Sequence, residues 1–243
     1  MGRGTCCSLV ATGRDGRSRN NSVPSASNPW WRVGKITEVV LATRNRDKGR
    51  EIAAILSGVG VTIRTLAEFP EMPEVVEDGE TCEANAIKKA REVAAFTGVT
   101  AIADDTGLMV DALGGRPGVY AARYAGEQAS YEDNWQKLLA ELKGVPSGKR
   151  TARFVTVAAI AHPHDDRVTV VEGVLDGAIA TEPRGERGFG YDPVFLVPDY
   201  AKTLAELTPE EKNRISHRAR AFAKVRELLP QLILARANQP VGK

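Results

Sequence analysis

The chain is poor in sulfur and in rings. Its three Cys (Cys6, Cys7 and Cys82) among 243 residues match neither a disulfide framework nor C-x-x-C or zinc spacing. Free thiols in a reducing compartment follow. Of the three His, none pairs with Ser or Cys in a pattern for nucleophilic catalysis. No apolar run approaches the ~18 residues of a membrane span, and no repeat recurs at solenoid periods. Charge of one sign is also lacking, with 33 Lys+Arg against 31 Asp+Glu. Membrane, collagen and coiled-coil classes are thereby excluded.

That near-balance is uneven along the chain. Residues 1–34 hold five Arg and one Asp, so the remaining 209 residues are slightly acidic. An acidic body argues against specific nucleic-acid binding. The first 34 residues are rich in Gly, Ser, Arg and Asn and show no hydrophobic period, so they cannot bury enough apolar surface to offset their ordering. Ser8–Ala11 is too short for a secretory core. A tail without a fold, a targeting segment and a start codon set too far upstream all fit this stretch.

From Lys35 the punctuation is regular. Ile36–Thr43 reads as a buried strand. Asn45 or Asp47 can cap a helix through Ile52, Ile55 and Leu56 that Gly58 and Gly60 end. Val61–Leu66 reads as a strand, Phe69–Glu80 as an acidic loop, and Thr81 as the cap of a helix. That helix is expected to bury Ala84, Ile87, Ala94 and Ala95, with Asn85 and Lys89 paired i, i+4 on another face. Thr100–Ala103 reads as a strand ending in Asp104-Asp105. A helix near Tyr131–Leu142 precedes two strands, Ala152–Ala161 and Val168–Leu175, spaced as an antiparallel hairpin. Thr208-Pro209-Glu210-Glu211 carries a cap, a Pro at the first position and a Glu at the third. Ser216 can cap a last helix that Pro230 stops after Leu229. The expected fold is α/β, a mixed twisted sheet with flanking helices in two lobes around a central cleft, all within residues 35–243.

Four segments carry chemistry. Thr43-Arg44-Asn45-Arg46-Asp47-Lys48 joins a strand end to a helix start, where backbone N–H groups and a first-turn Lys favour phosphate. It lacks the glycine spacing of a Walker loop, and an ordinary turn with a solvated Lys48 explains it equally well. Asp104-Asp105 stand at a strand end, where open α/β sheets place ligands. Alternation lets only one of them face a cleft, where it could hold Mg²⁺ or orient a water. In Gly188-Phe189-Gly190-Tyr191-Asp192-Pro193, glycines and aromatics could flank a planar ring, or simply pack. Lys212 and Ser216-His217-Arg218 offer donors for carbonyl oxygens, or a solvated basic face.

Taken in order, L-A-T-x-N-x-x-K-x-x-E (Leu41–Glu51), N-A-x-x-K-A (Asn85–Ala90), A-D-D-T-G-L (Ala103–Leu108), L-G-G-x-P-G-x-Y-x-A-R (Leu113–Arg123), G-F-G-Y-D-P-x-F (Gly188–Phe195) and E-E-K-x-x-I-S-H-R (Glu210–Arg218) closely resemble the inosine/xanthosine triphosphate pyrophosphatase family. The resemblance runs from about Val39 to Leu229. It implies hydrolysis of dITP, ITP and XTP to monophosphate and pyrophosphate by a cytoplasmic, Mg²⁺-dependent homodimer. It further implies that Thr43 through Lys48 bind the triphosphate, that Lys89 supports it, and that Asp105 is the general base or a metal carboxylate. Thr106, where many relatives have Ser, would touch the nucleotide. Phe189, Gly190, Tyr191 and Asp192 would wall the base pocket, and Lys212, His217 and Arg218 would contact the base. For the second metal carboxylate, Val76 fills one alignment position and Glu77 the next, so Glu77 is the expected ligand. Val33 lies near the usual family start, which favours a misplaced start codon.

Overall fold

The computed structural model describes residues 38–163 and 165–237. The expectations for residues 1–34 and for Ile36 lie outside this range. Among the described residues, eight strands form one mixed sheet. Its first strands are β1 (Glu38–Leu41), β2 (Thr62–Thr65), β3 (Ala101–Val110) and the short β4 (Pro117–Gly118). They are followed by β5 (Thr151–Ala161), β6 (Val168–Ile179), β7 (Phe195–Val197) and β8 (Lys202–Thr203). The spatial order is β2-β1-β3-β5-β6-β7-β8, with β4 paired to β3. The helices are α1 (Arg46–Ile55), α2 (Cys82–Thr97), α3 (Tyr131–Glu141), α4 (Pro209–Ile215) and α5 (His217–Ala237).

Strand β1 is parallel to both β2 and β3, as its helical crossovers require. Parallel pairing with β3 stops at Leu41↔Ile102, whereas β3 runs on against β5 in antiparallel register from Ala101↔Ala161 to Val110↔Ala152. The carboxylate doublet is therefore not at a strand end. It sits mid-strand, just where β1 stops and uncovers the edge of β3. The β5–β6 hairpin forms as its turn spacing predicts, although β6 is longer, reaching Ile179.

Strand alternation divides the core. Ala101 and Ala103 pack with Ala86, Ala90 and Val93 of α2 on one side of the sheet. Ile102 packs with Ile52 of α1 and with Phe222 and Val225 of α5 on the other. A third cluster, built around Leu138, Phe154 and Phe195, forms the second lobe.

Two helix expectations are corrected. Helix α2 buries Cys82, Asn85, Ala86, Lys89, Ala90, Val93 and Ala94, whereas Ala84 and Ala95 are exposed. Asn85 and Lys89 thus lie on the buried face rather than on another one, because their polar ends meet charged partners across the sheet edge. Helix α5 does not stop at Leu229 but continues through Pro230. Pro230 is exposed, so the carbonyl it leaves unpaired faces water, while Leu229 before it and Leu232 after it both pack into the α1/α5 core.

Candidate active site

The strand ends and helix starts converge on one cleft of about 290 Å³ between the lobes. Asn45 caps α1, its Oδ1 accepting from the N–H groups of Asp47 (2.9 Å) and Lys48 (3.1 Å). That cap turns the first helical turn, with Lys48, toward the middle of β3. Lys48 Nζ lies 3.1 Å from Asp104 Oδ2, and Arg218 Nε approaches the same oxygen from α5 at 3.6 Å. Burial alone would raise the Asp104 pKa, but Lys48, Arg218 and Lys89 hold the carboxyl well below the usual range.

Asp105 faces the other side of the strand, toward α2. Its Oδ2 accepts from Asn85 Nδ2 at 3.1 Å, and its Oδ1 from the Thr106 N–H at 2.9 Å. Burial raises its pKa, partly offset by Lys89 and Lys48. Lys89 donates to Glu77 Oε1 at 2.8 Å. Burial opposes its charge, yet Asp104, Glu77 and Asp105 around it raise its pKa overall. Of the doublet, only Asp105 lines the cleft, as alternation predicts.

At the other end, Lys212 Nζ donates to Asp192 Oδ2 at 2.5 Å and pairs with Glu51 Oε1 at 2.7 Å. Arg218 donates to Glu51 Oε2 at 2.6 Å. Asp192 Oδ2 also accepts from the Phe189 N–H at 2.8 Å, which orients the Phe189 ring beneath the Lys212 ammonium, 4.7 Å from the centroid. Gly188 has φ +76°, and a side chain there would collide with Asp192 Oδ2 at 2.1 Å. His217 is stacked on Phe154 at 4.3 Å. Burial first, then Arg218 and Lys212, holds its pKa well below the ordinary value of 6.5, which favours the neutral imidazole. Its Nδ1 is buried without a hydrogen-bond partner.

The Ham1 family profile matches residues 39–228. The chain belongs to the Ham1 family. Similar to this Ham1 chain is the dITP/XTP pyrophosphatase of Geobacter sulfurreducens, 53% identical over 80% of this chain and 97% of that protein. The dITP/XTP pyrophosphatase of Bacillus subtilis is 52% identical over 79% and 96%. Among solved structures, a HAM1 protein from Coxiella burnetii superposes with a TM-score of 0.74 at 42% identity, covering 80% of this chain and 98% of that one.

Within the Ham1 chain the cleft is lined by Thr43, Arg44, Asn45, Lys48, Glu77, Lys89, Asp105, Thr106, Phe189, Gly190, Tyr191, Asp192, Lys212, His217 and Arg218. Arg46 and Asp47 are not brought there. Arg46 is exposed, and Asp47 pairs with Arg50 at 3.3 Å on the outer side of α1. Tyr191 reaches the lining, but its ring belongs to the second-lobe core and its hydroxyl donates to the Ala121 carbonyl at 2.8 Å. Sequence reasoning did not assign Glu51, Asn85, Tyr131 or Phe154 to the site, and alternation alone left open which of Asp104 and Asp105 faces the cleft. Glu51 and Asn85 sit inside the quoted motifs, and that was their only signal.

Proposed function

We propose that this chain is a nucleoside triphosphate pyrophosphatase that hydrolyses non-standard purine nucleotides (dITP or ITP, and XTP or dXTP) to the monophosphate and pyrophosphate. The observation that carries the reading is the convergence of Lys48, Lys89 and Asp105 with Lys212, Arg218 and His217 in one cleft. A triphosphate brings about four negative charges, and preorganised cations in the first turn of α1 (Lys48) and at the middle of α2 (Lys89) stabilise charge that develops at phosphorus. A water held by Asp105 attacks the α-phosphorus. A new P–O bond forms, the bond to the bridging oxygen of the β-phosphate breaks, and the water proton passes to the Asp105 carboxylate.

Asp105 and Glu77 supply hard carboxylate oxygens beside the phosphate cations. This suits a divalent ion, read here as Mg²⁺, which takes one or two carboxylates together with phosphate oxygens and water. When bound, Mg²⁺ would neutralise phosphate charge. Among the described residues there is no group of three or more His, Cys, Asp or Glu that could cage a metal.

At the base end, Lys212, Arg218 and His217 are donors suited to a 6-oxo purine. A site built to bond that oxygen leaves its buried donors unpaired when it is absent, which is a strong source of discrimination. We read the enzyme as a cytoplasmic homodimer. Cys82 is a free buried thiol, and among the described residues no helix is long and apolar enough to cross a membrane. Sedimentation of the purified chain tests the dimer.

The deciding experiment is pyrophosphate release from dITP, XTP, dGTP and dTTP, with Mg²⁺ and with EDTA. Metal-dependent turnover of dITP and XTP far above dGTP is expected. Preference for dTTP would instead favour a related pyrophosphatase for pyrimidine or modified nucleotides, and release from none of the four would overturn the assignment.

A further inference from the structure

Tyr131 opens α3 on the second lobe, yet its side chain reaches across to α1. Its hydroxyl oxygen accepts from Asn45 Nδ2 at 2.8 Å, and its ring lies 5.8 Å from that of Phe189, tilted by 42°. It is 42% exposed although it lines the cleft, so burial does not account for its placement. Its platform is rigid. Ser130 and Asp133 close a capping box at the start of α3. Asn134, one turn on, is 2% exposed and locks the helix to the preceding loop, bonding the Ala122 carbonyl at 3.1 Å and the Ala125 N–H at 2.7 Å.

Asn45 is a two-sided group. With its Oδ1 occupied by the Asp47 and Lys48 N–H groups, its Nδ2 points to the other side, where Tyr131 provides an acceptor. The same phenol ring abuts Phe189, whose position is set by Asp192.

We infer that Tyr131 is a positioning residue that clasps the two halves of the cleft: its hydroxyl fixes the Asn45 amide that caps the phosphate-facing helix, and its ring fixes the Phe189 wall. The separation between the phosphate end and the base end is thereby held before substrate arrives. The kinetic part of this inference rests on the function proposed above.

Two variants and a double-mutant cycle test it. Tyr131→Phe keeps the ring and removes the acceptor. It is expected to speed amide hydrogen exchange at Asp47 and Lys48 severalfold. The KM for dITP should rise about fivefold, the factor set by one neutral hydrogen bond, with kcat within about twofold of wild type. Tyr131→Ala, which also loses the ring contact, should raise KM about threefold further. In an Asn45→Ala background, Tyr131→Phe should change KM no further, because the bond is already gone. A merely structural role would lower thermal stability without this split or this coupling. Unchanged exchange at Asp47 and Lys48, an unchanged KM in Tyr131→Phe, or effects that multiply in the double variant would overturn the clasp. A wild-type protein that releases no pyrophosphate would overturn the proposed reaction alone, and the exchange measurement would still decide on the clasp.

Discussion

Lys48 Nζ stands 3.1 Å from Asp104 Oδ2, while the next carboxylate along the same strand, Asp105, is bonded to Asn85 on the opposite face. One residue of strand period thus separates two jobs. Asp104 is wholly buried and holds Lys48 and Arg218 in place, whereas Asp105 is left to face the cleft. A carboxylate held by two cations is a poor base, and a buried one with its pKa raised is a better base.

Asp105→Asn keeps the size of the side chain and one acceptor oxygen for either the Asn85 or the Thr106 donor, but it removes the second acceptor and with it the proton-accepting carboxylate. Pyrophosphate release should fall by about 100- to 10,000-fold, with thermal stability little changed, since the loss of a buried charge offsets the loss of one hydrogen bond. Near-normal turnover in this variant would remove Asp105 from the chemistry.

Lys48→Ala should act on binding. One charge-assisted contact to phosphate corresponds to a KM increase of about ten- to a hundredfold. Steady-state kinetics with dITP check this, and an unchanged KM would count against a phosphate role for the first turn of α1.

Gly173 of β6 lets α5 lie directly on the sheet. A side-chain carbon there would come within 2.2 Å of the His217 carbonyl oxygen and 2.3 Å of the Ala221 nitrogen. Gly173→Ala should cost about 1–3 kcal/mol or more and lower Tm by several degrees. It should also weaken dITP binding by displacing His217. Gly148→Ala is the control, because no atom lies within 4 Å of its added carbon. Equal Tm values for the two variants would mean that α5 yields freely.

His217 gives a pH signature. Its folded pKa lies well below the unfolded value of 6.5, so below that pH the unfolded chain binds the proton that the folded chain refuses. Its contribution is fully present above 6.5 and is lost as pH falls toward the folded pKa. His217→Phe retains stacking on Phe154 and cannot titrate, so its Tm should decline less than that of wild type between about pH 6.5 and about pH 5. Parallel Tm profiles would assign the acid sensitivity to other groups.

Much of the local structure was legible because its causes are local. Thr81 accepts from the Ala84 N–H, and Thr208 with Glu211 closes a capping box ahead of Pro209, each within one helical turn of the residues that signalled it. The short gap between the apolar runs Ala152–Ala161 and Val168–Leu175 similarly marked the β5–β6 hairpin. Reading α2 failed at the polar residues, because hydrophobic periodicity treats Asn85 and Lys89 as solvent-facing. Both are buried, since Asp105 and Glu77 meet them from other segments.

What the sequence determined by itself was the inventory: the helices and the longer strands, though not the short β4, β7 and β8, that the doublet splits between two faces, and the ordered motifs that mark the family. Tertiary structure alone decided the company each group keeps. Glu51 lies 167 residues before Arg218 and bonds it at 2.6 Å, and Asn45 meets Tyr131 across 86 residues. It also decided that α5 runs through Pro230. Spacing reports neighbours within a few residues, because local propensity and alternation act over one or two turns. Ion pairing, burial and the pKa values they set depend on chain segments that only packing brings within a few ångströms of one another.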